Sequence, residues 1–353
     1  MPNVKLLHTA DLHLNADRPE TVEALEVVLA EASKHEVDIV TIAGDLFDSQ
    51  AAADALRPQL RPLFSDNPFE IVAIPGNHDE EVYRENLQFG EDLTILVDQP
   101  LSTYQVNDLE IVGVPFTATM DDALFGTLLE TGSPETHQCL LLHCTLDLGF
   151  YAHEAGEEDA SYFPVSQATL EAFDFEYILA GHIHSREREV PLGNGARFIY
   201  PGSPVSHSWK ERGKRTAILV DTAVHSVRSV ELETFYYDAY ERTIRPGEER
   251  VVLEEINEWV QARTGHPCEL RVEVDGYIDI DEQTFDDRLH AVTPEIATQN
   301  QTRTVSEVLA HPLYERFTES LAERDDIEDT AYIESFVLGV FADLLSQRKV
   351  QPP

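Results

Sequence analysis

The chain has 353 residues, of which 42% are hydrophobic, so it is long enough for one large domain with a smaller one, or for two domains. No run of the sequence approaches the roughly 18 apolar residues of a membrane helix, and three cysteines give no disulfide framework, which favours a cytoplasmic location. The formal net charge of −41 leaves two explanations open: the partner is not nucleic acid, or the surface is adapted to a salt-rich cytoplasm that screens like-charge repulsion.

Short apolar runs alternate with amphipathic stretches over the first 220 residues. The apolar runs predict five strands, at 4–10, 37–43, 69–74, 138–144 and 176–180. Helices are predicted at 20–35 and around 54–64. Apolar strands separated by helices are typical of an α/β sheet that is covered on both faces. Three later runs, at 197–200, 216–221 and 227–235, have no helices between them and predict antiparallel strands of a second sheet.

The C-terminal third has a different pattern. Residues 243–250 have the composition of a linker. After them, a helix at 251–264, a strand at 268–278 and a short helix at 284–291 predict a small α+β cap. The polar stretch 293–304 is typical of a loop. Residues 305–347 predict a helical tail, whose apolar stripe either packs on its own domain or docks on a partner. We therefore expect a large domain at 1–242, a cap at 250–292 and a tail at 305–347.

Side chains that can bind a metal stand at or just after the end of each of the five early strands. They are Asp11 and His13, Asp45 and Asp48, Asn77, His78 and Asp79, His143, and His182 and His184. Because ligands bind at the carboxyl ends of strands in open α/β sheets, we expect these side chains to converge on one crevice. Residues two apart in an extended segment face the same side, so Asp11 and His13 can share one centre. Carboxylate, imidazole and amide ligands suit Mn, Fe or Zn.

Taken together and in this order, the motifs DxH, GDxxD, GNHD, a lone His and GHxH resemble those of the calcineurin-like metallophosphoesterase superfamily. The segments HTADLHLN, AGDLFD, IPGNHD, LAGHIHS and YPGSPVS are similar to SbcD and the Mre-type nucleases of double-strand-break repair. This resemblance covers about residues 1–240. It implies a two-sheet α/β/β/α sandwich with a small α+β capping domain and a helical C-terminal tail.

The resemblance also implies a role for each motif residue. One divalent ion would be held by Asp11, His13, Asp45 and His184. The other would be held by Asp45, Asn77, His143 and His182, with Asp45 bridging the two. His78 would act on the phosphate as general acid or transition-state stabiliser, with Asp79 orienting it, and Asp48 would lie behind the ligands. Two ions of this kind clamp a phosphoryl displacement, and Mn²⁺ is the preferred candidate, with Fe or Zn as alternatives.

One stretch of the acidic chain bears on the substrate. Residues 182–215 carry seven basic residues against three acidic ones. This stretch is either a solvated hairpin or a surface that contacts the phosphate backbone of DNA. The candidate contacts are Arg186, Arg188, Lys210 and Arg212.

The resemblance implies a metal-dependent DNA exo/endonuclease that works with an SbcC-like ABC-type coiled-coil ATPase in repair or recombination. Relatives in this family usually form homodimers. Two alternatives stay open: a phosphodiesterase or phosphatase that acts on small nucleotides or phosphoproteins, and an adaptor that retains the fold but acts by binding a partner.

Overall fold

A computed structural model of the protein describes residues 4–84, 88–147, 163–324 and 330–350. The chain divides into two compact units. The first is Met1–Tyr237 with His266–Cys268, and the second is Asp238–Gly265 with Glu269–Pro353.

The first unit contains fourteen strands and four helices among the described residues. The strands are β1 (Lys5–Thr9), β2 (Ile39–Ala43), β3 (Glu70–Ile74), β4 (Leu93–Ile95), β5 (Ser102–Val106), β6 (Leu109–Gly113), β7 (His137–His143), β8 (Thr145–Asp147), β9 (Pro164–Ser166), β10 (Tyr177–Gly181), β11 (Arg188–Pro191), β12 (Arg197–Tyr200), β13 (Arg215–Asp221) and β14 (Ser226–Leu232). The helices are α1 (Pro19–Lys34), α2 (Gln50–Leu63), α3 (Asp122–Thr131) and α4 (Gln167–Leu170).

Two six-stranded sheets form the centre of this unit. Their strand orders are β14-β13-β1-β2-β3-β4 and β11-β12-β10-β7-β6-β5. Strands β1 to β4 are parallel, as are β6, β7, β10 and β12, whereas β13 runs antiparallel to β1. The smaller sheet of β8 and β9 lies apart from both.

The side-chain alternation of the strands produces four layers. Leu6 of β1 packs against Leu141 and Leu179 of the second sheet. The next residue, Leu7, points to the opposite face and joins the cluster with Leu25 of helix α1. The second sheet likewise packs its outer face on α3 and α4. Since both faces of each sheet are covered, the strands are apolar throughout. The predicted α/β/β/α sandwich is thus confirmed.

The assignment of strands to sheets differs from the prediction in two respects. The five early apolar runs do not share one sheet, because β1, β2 and β3 lie in the first and β7 and β10 in the second. The later runs were expected to pair antiparallel in a second sheet. Strands β13 and β14 do pair antiparallel with each other, but they extend the first sheet from the edge of β1, and β12 runs parallel to β10. Hydrophobic periodicity identifies a buried strand but carries no information about its neighbour.

The second unit is built around a three-stranded sheet of β15 (Tyr236–Ile244), β16 (Cys268–Ile278) and β17 (Ala297–Thr304), in that order. Helices α5 (Glu249–Gln261) and α6 (Glu282–Val292) bury its apolar side chains in one cluster.

Strand β17 corrects the prediction of a loop at 293–304. It pairs in parallel with β16 from Arg271↔Ala297 to Ile278↔Thr304. Its side chains are mostly polar and largely exposed, so backbone pairing holds it in the sheet and no apolar alternation marks it.

Three helices form the C-terminal segment of this unit: α7 (Ser306–Leu309), α8 (Pro312–Ala322) and α9 (Thr330–Val350). They share a small apolar cluster that includes Val308, Tyr314 and Leu338. A helical C-terminal segment is therefore present, as predicted. Among the described residues, no helix has the length and apolar composition needed to cross a membrane.

Candidate metal centre

The ends of five strands meet at one buried cluster of polar side chains in the first unit. Strands β1, β2 and β3 of the first sheet supply Asp11, His13, Asp45 and Asn77, and strands β7 and β10 of the second supply His143, His182 and His184. The centre therefore lies where the two sheets present their carboxyl ends together.

The backbone at this cluster is strained. Asp11, His13, Asp45 and His182 all have left-handed conformations, with φ of 57°, 44°, 51° and 99°. Each such residue costs on the order of 1–3 kcal/mol and persists only where the surroundings impose it. Asp11 and His13 do face one centre as predicted, but through sharp turns, and not because they are two apart in an extended segment.

These turns bring backbone amides onto the carboxylates. The amide of His182 donates to both oxygens of Asp11, at 3.1 and 2.9 Å. The amide of His78 donates to Oδ1 of Asp45 at 2.9 Å. At Gly76 a Cβ atom would collide with the Asp45 carboxylate. The absence of a side chain there lets the loop after β3 close onto Asp45.

One half of the cluster gathers Asp11, His13 and Asp45, whose ligand atoms lie within 4.8 Å of one another. The Nε2 atoms of His13 and His184 are 3.2 Å apart. Nε2 of His184 is also 3.9 Å from Oδ1 of Asp11, and Nε2 of His13 is 3.7 Å from Oδ2 of Asp45. These four residues are the ones predicted to hold the first ion.

The other half is centred on His143. Its Nε2 atom lies 2.9 Å from Oδ1 of Asn77 and 3.3 Å from Oδ2 of Asp45. The ring of His182 is 5.2 Å from that of His143, centroid to centroid. Because the same Asp45 oxygen faces both His13 and His143, Asp45 stands between the two halves, where the bridging ligand was predicted.

The donor set fits a cation. Nδ1 of His143 lies 2.8 Å from the carbonyl of Ala43, which can only accept, so Nδ1 carries the hydrogen. The lone pair of Nε2 in a neutral ring then faces two other acceptors, Asn77 Oδ1 and Asp45 Oδ2. Such convergence of acceptors needs either a proton or a metal ion between them.

The pKa values in the cluster depend on two opposing effects, burial and the charges of the neighbouring side chains. Burial alone would lower the pKa of His143, but the Asp45 and Asp11 carboxylates outweigh it and raise the pKa to about 9. Burial raises the pKa of Asp11 to about 6 against the opposing effect of the histidines. For Asp45, the neighbouring histidines, His143 foremost, overcome burial and hold the pKa below its usual range. Asp45 is therefore a carboxylate throughout the physiological range.

His78 lies at the mouth of the centre. Its side chain is exposed, and its ring is 4.7 Å from that of His13, nearly edge-on. A histidine in this position can reach a molecule that approaches from solvent while its backbone stays anchored to Asp45. Asp48 lies behind His13, with Oδ1 3.9 Å from Nδ1, and its Oδ2 accepts from Asn15 at 3.1 Å.

Asp79 lies in a network of buried hydrogen bonds. Its carboxylate is fully buried and accepts hydrogen bonds from the amide of Gly76 at 2.7 Å, the amide of Phe47 at 3.2 Å and the hydroxyl of Tyr83 at 2.9 Å. These described bonds tie the loop after β3 to the loop after β2. Burial, with the charge of Asp45, raises the pKa of Asp79 to about 7. Asp79 therefore holds the two ligand loops together, and its role in orienting His78 stays a prediction.

His207 lies outside the predicted ligand set, and its ring is 4.9 Å from that of His13. Nη1 of Arg18 lies 3.1 Å from Nδ1 of His207, and an arginine can only donate, so Nδ1 accepts. Nε2 then carries the hydrogen and donates to the carbonyl of Asp11 at 3.0 Å. With both nitrogens engaged, His207 supports the turn at Asp11.

Glu211 was also missed, since in the sequence it is one acid within a basic stretch. Its side chain is buried, and Oε1 lies 3.2 Å from Nδ1 of His184. The pairing spans 27 positions of the sequence and leaves no local signal.

The basic stretch is only partly available to a substrate. Arg186 and Lys210 are exposed, while Arg188 and Arg212 are half-buried. Arg215 is 2% exposed and donates to the carbonyls of Ser203 and Ser185, at 2.9 and 3.1 Å. Two further bases make ion pairs, Arg197 with Glu189 and Lys214 with Glu231. The charge count of the sequence therefore overstates the positive surface.

The chain is similar to a known family and to a curated relative. A family model described as calcineurin-like phosphoesterase matches residues 4–186. A curated relative from Staphylococcus epidermidis, the SbcD component of the nuclease SbcCD, is 26% identical over 244 residues, which is 59% of this chain and 63% of that protein. The chain thus spans less than two thirds of the length of this relative.

Two solved structures resemble the chain weakly. A dimetal phosphatase from Danio rerio has a TM-score of 0.42 at 10% identity, covering 65% of this chain and 99% of that one. GAP50, the anchor in the inner membrane complex of Plasmodium, has a TM-score of 0.40 at 9% identity, covering 66% of this chain and 90% of that one.

Proposed function

Because the chain belongs to the calcineurin-like phosphoesterase family and is a metal-dependent phosphoesterase, we propose that its substrate is DNA and that it acts as an exo/endonuclease of the SbcD/Mre type. The observation that carries the proposal is the buried cluster around Asp45, with exposed His78 at its mouth. The 26% identity to a component of a nuclease supports DNA as the substrate.

The family implies two divalent ions, and we propose an assignment of ligands for them. Asp11, His13, Asp45 and His184 hold one ion; Asp45, Asn77, His143 and His182 hold the other. Mixed carboxylate, imidazole and amide donors suit Mn, Fe or Zn, and we propose Mn²⁺, with Fe or Zn as alternatives. When bound, such ions offset the charge of a phosphate and lower the pKa of water.

The chain's own groups bind and position the substrate. Asp45 stays ionised, and amides from His78 and His182 hold the carboxylates of Asp45 and Asp11 in place. The exposed His78 ring is proposed to protonate the leaving oxygen or to donate a hydrogen bond to the phosphoryl group. Arg186, Lys210, Arg188 and Arg212 are proposed to contact the DNA backbone without reading sequence.

A partner is proposed for the C-terminal segment of the second unit. On helix α9, Tyr332, Phe336, Val340 and Leu344 recur every four residues and are 68%, 63%, 43% and 56% exposed. This spacing forms one apolar stripe along the helix. We propose that it docks an SbcC-like ABC-type coiled-coil ATPase, that the protein forms a homodimer, and that it acts in DNA repair or recombination in a salt-rich cytoplasm.

The test is a substrate panel. The purified full chain with Mn²⁺ is offered linear duplex DNA, single-stranded DNA and bis-p-nitrophenyl phosphate, in dilute and in molar salt, with and without the ATPase. Cleavage of DNA that depends on Mn²⁺ and disappears in His78→Ala is expected. His290→Ala, which changes an exposed histidine of the second unit, is the matched control.

Two other outcomes point to other functions. Cleavage of the small diester but never of DNA would make the protein a phosphodiesterase on small substrates, which the net charge of −41 favours. Turnover of none of the substrates, with Mn²⁺ bound, would indicate an adaptor.

A further inference from the structure

We propose that Glu211 is a positioning residue of the metal centre, which holds the imidazole of His184 with Nε2 directed at the ion and anchors the loop that supports Asp11. This inference rests on the proposed assignment of His184 as a ligand. It concerns a residue that does not itself face the centre and that none of the sequence motifs contains.

The contacts of Glu211 satisfy both of its oxygens. Oε1 lies 3.2 Å from Nδ1 of His184 and accepts from the hydroxyl of Ser208 at 3.4 Å. Oε2 accepts from the amide of His207 at 2.7 Å and from the hydroxyl of Ser203 at 3.5 Å. The residue is 8% exposed. A buried carboxylate loses its hydrogen bonds to water, and its burial is tolerated only where protein donors replace them.

The first consequence concerns the tautomer of His184. An ionised carboxylate only accepts, so Nδ1 of His184 must carry the hydrogen. Nε2 then presents its lone pair to the centre, where it lies 3.2 Å from Nε2 of His13 and 3.9 Å from Oδ1 of Asp11. Without Glu211 the ring is free to rotate or to take the other tautomer, and neither state offers the same ligand atom.

The second consequence concerns ligand strength. A histidine whose far nitrogen donates to a carboxylate is a more basic ligand than one that donates to a neutral group. His143 donates to the neutral carbonyl of Ala43, and the Nδ1 of His13 is 3.9 Å from Asp48, beyond hydrogen-bonding distance. Among the described contacts of these three predicted ligands, the Nδ1 of His184 is the one that has a carboxylate within hydrogen-bonding distance.

The third consequence is a link between the two sheets. His184 follows β10 of the second sheet, whereas Asp11 follows β1 of the first. Glu211 binds the amide of His207, and the ring of His207 donates to the carbonyl of Asp11. One carboxylate thus connects ligands from both sheets. Buried Arg215 donates to the carbonyl of Ser203 and to that of His184, which fixes the same loop from its other side.

The test measures metal binding on the full chain. Mn²⁺ is titrated against the wild type, Glu211→Gln and Glu211→Ala, with Glu231→Gln as the control because Glu231 is an exposed acid paired with Lys214. Loss of a supporting group of this kind weakens metal binding roughly 10- to 100-fold. We expect Glu211→Ala to weaken the binding of one of the two ions to this extent and Glu211→Gln to weaken it less. The control is expected to bind Mn²⁺ as the wild type does.

A kinetic readout separates positioning from a merely structural role. In both Glu211 variants, the Mn²⁺ concentration for half-maximal turnover of bis-p-nitrophenyl phosphate rises with the loss of affinity, while kcat at saturating Mn²⁺ recovers to near the wild-type value. A variant with damaged structure would not recover with added metal.

The results that would refute this inference differ from those that would refute the proposed function. Unchanged Mn²⁺ affinity in a folded Glu211→Ala chain overturns the inference. If that variant does not fold, Glu211→Gln decides, since it removes the charge and leaves a single acceptor oxygen where the carboxylate has two; unchanged affinity there overturns it too. Failure of the wild type to cleave DNA would refute the nuclease proposal and leave the Mn²⁺ titrations of the variants to decide the role of Glu211. A wild type that binds no Mn²⁺ would overturn both.

Discussion

Asp79 offers a sharp check on the structure, because its predicted support of His78 and its observed hydrogen bonds to two loops lead to different outcomes on mutation. Substitution Asp79→Ala removes the acceptor for two amides and one hydroxyl, those of Gly76, Phe47 and Tyr83. Since Asp79 is fully buried, water does not replace the lost acceptor without a structural change. Leaving a buried donor unpaired costs about 1–3 kcal/mol.

We therefore expect Asp79→Ala to lower the free energy of unfolding of the first unit by roughly 3–5 kcal/mol, because three buried donors lose their acceptor at once. Asp79→Asn keeps the shape and one acceptor, so we expect a smaller loss, about 1–2 kcal/mol. The measurement is urea-induced unfolding of the metal-free chain, followed by circular dichroism and tryptophan fluorescence.

The matched control is His78→Ala, which removes an exposed side chain and is expected to leave the free energy of unfolding within about 0.5 kcal/mol of the wild type. If Asp79 instead acts by charge support of His78, Asp79→Asn would lower kcat as far as His78→Ala does while leaving stability unchanged. That result would refute the structural role argued from its hydrogen bonds.

Three further predictions follow from the site and the surface. His78→Ala is expected to lower kcat by roughly 10²- to 10⁴-fold with Mn²⁺ stoichiometry unchanged, measured by turnover and calorimetry; loss of an ion would show that His78 is a ligand. Gly76→Ala places a methyl group against the Asp45 carboxylate and is expected to abolish tight Mn²⁺ binding, whereas Gly126→Ala, at a helical site with open space, serves as control for the substitution. Raising NaCl from dilute buffer to about 1 M is expected to raise the thermal midpoint, because screening relieves repulsion in a chain of charge −41; a midpoint that does not rise would contradict salt adaptation.

Local sequence was sufficient for much of the fold and for the identity of the cluster. The periodicity of apolar residues located β1, β2, β3, β7 and β10 to within a few residues, because burial on both faces leaves a continuous apolar run. The same periodicity did not predict strand β17, since its side chains are mostly polar and its stability comes from backbone pairing with β16. Nor could the apolar pattern predict that β13 and β14 belong to the first sheet.

What the sequence alone determined was which side chains stand at the ends of the strands, because each motif is contiguous and its position at a strand end is a local property. What only the tertiary structure decided was how those side chains are held. Glu211 supports His184 across 27 positions, Asp79 accepts from Phe47 across 32, and His207 donates to the carbonyl of Asp11 across 196. Such hydrogen bonds depend on which loops the two sheets bring together, and a buried acid is indistinguishable in sequence from a solvated one until its neighbours are known.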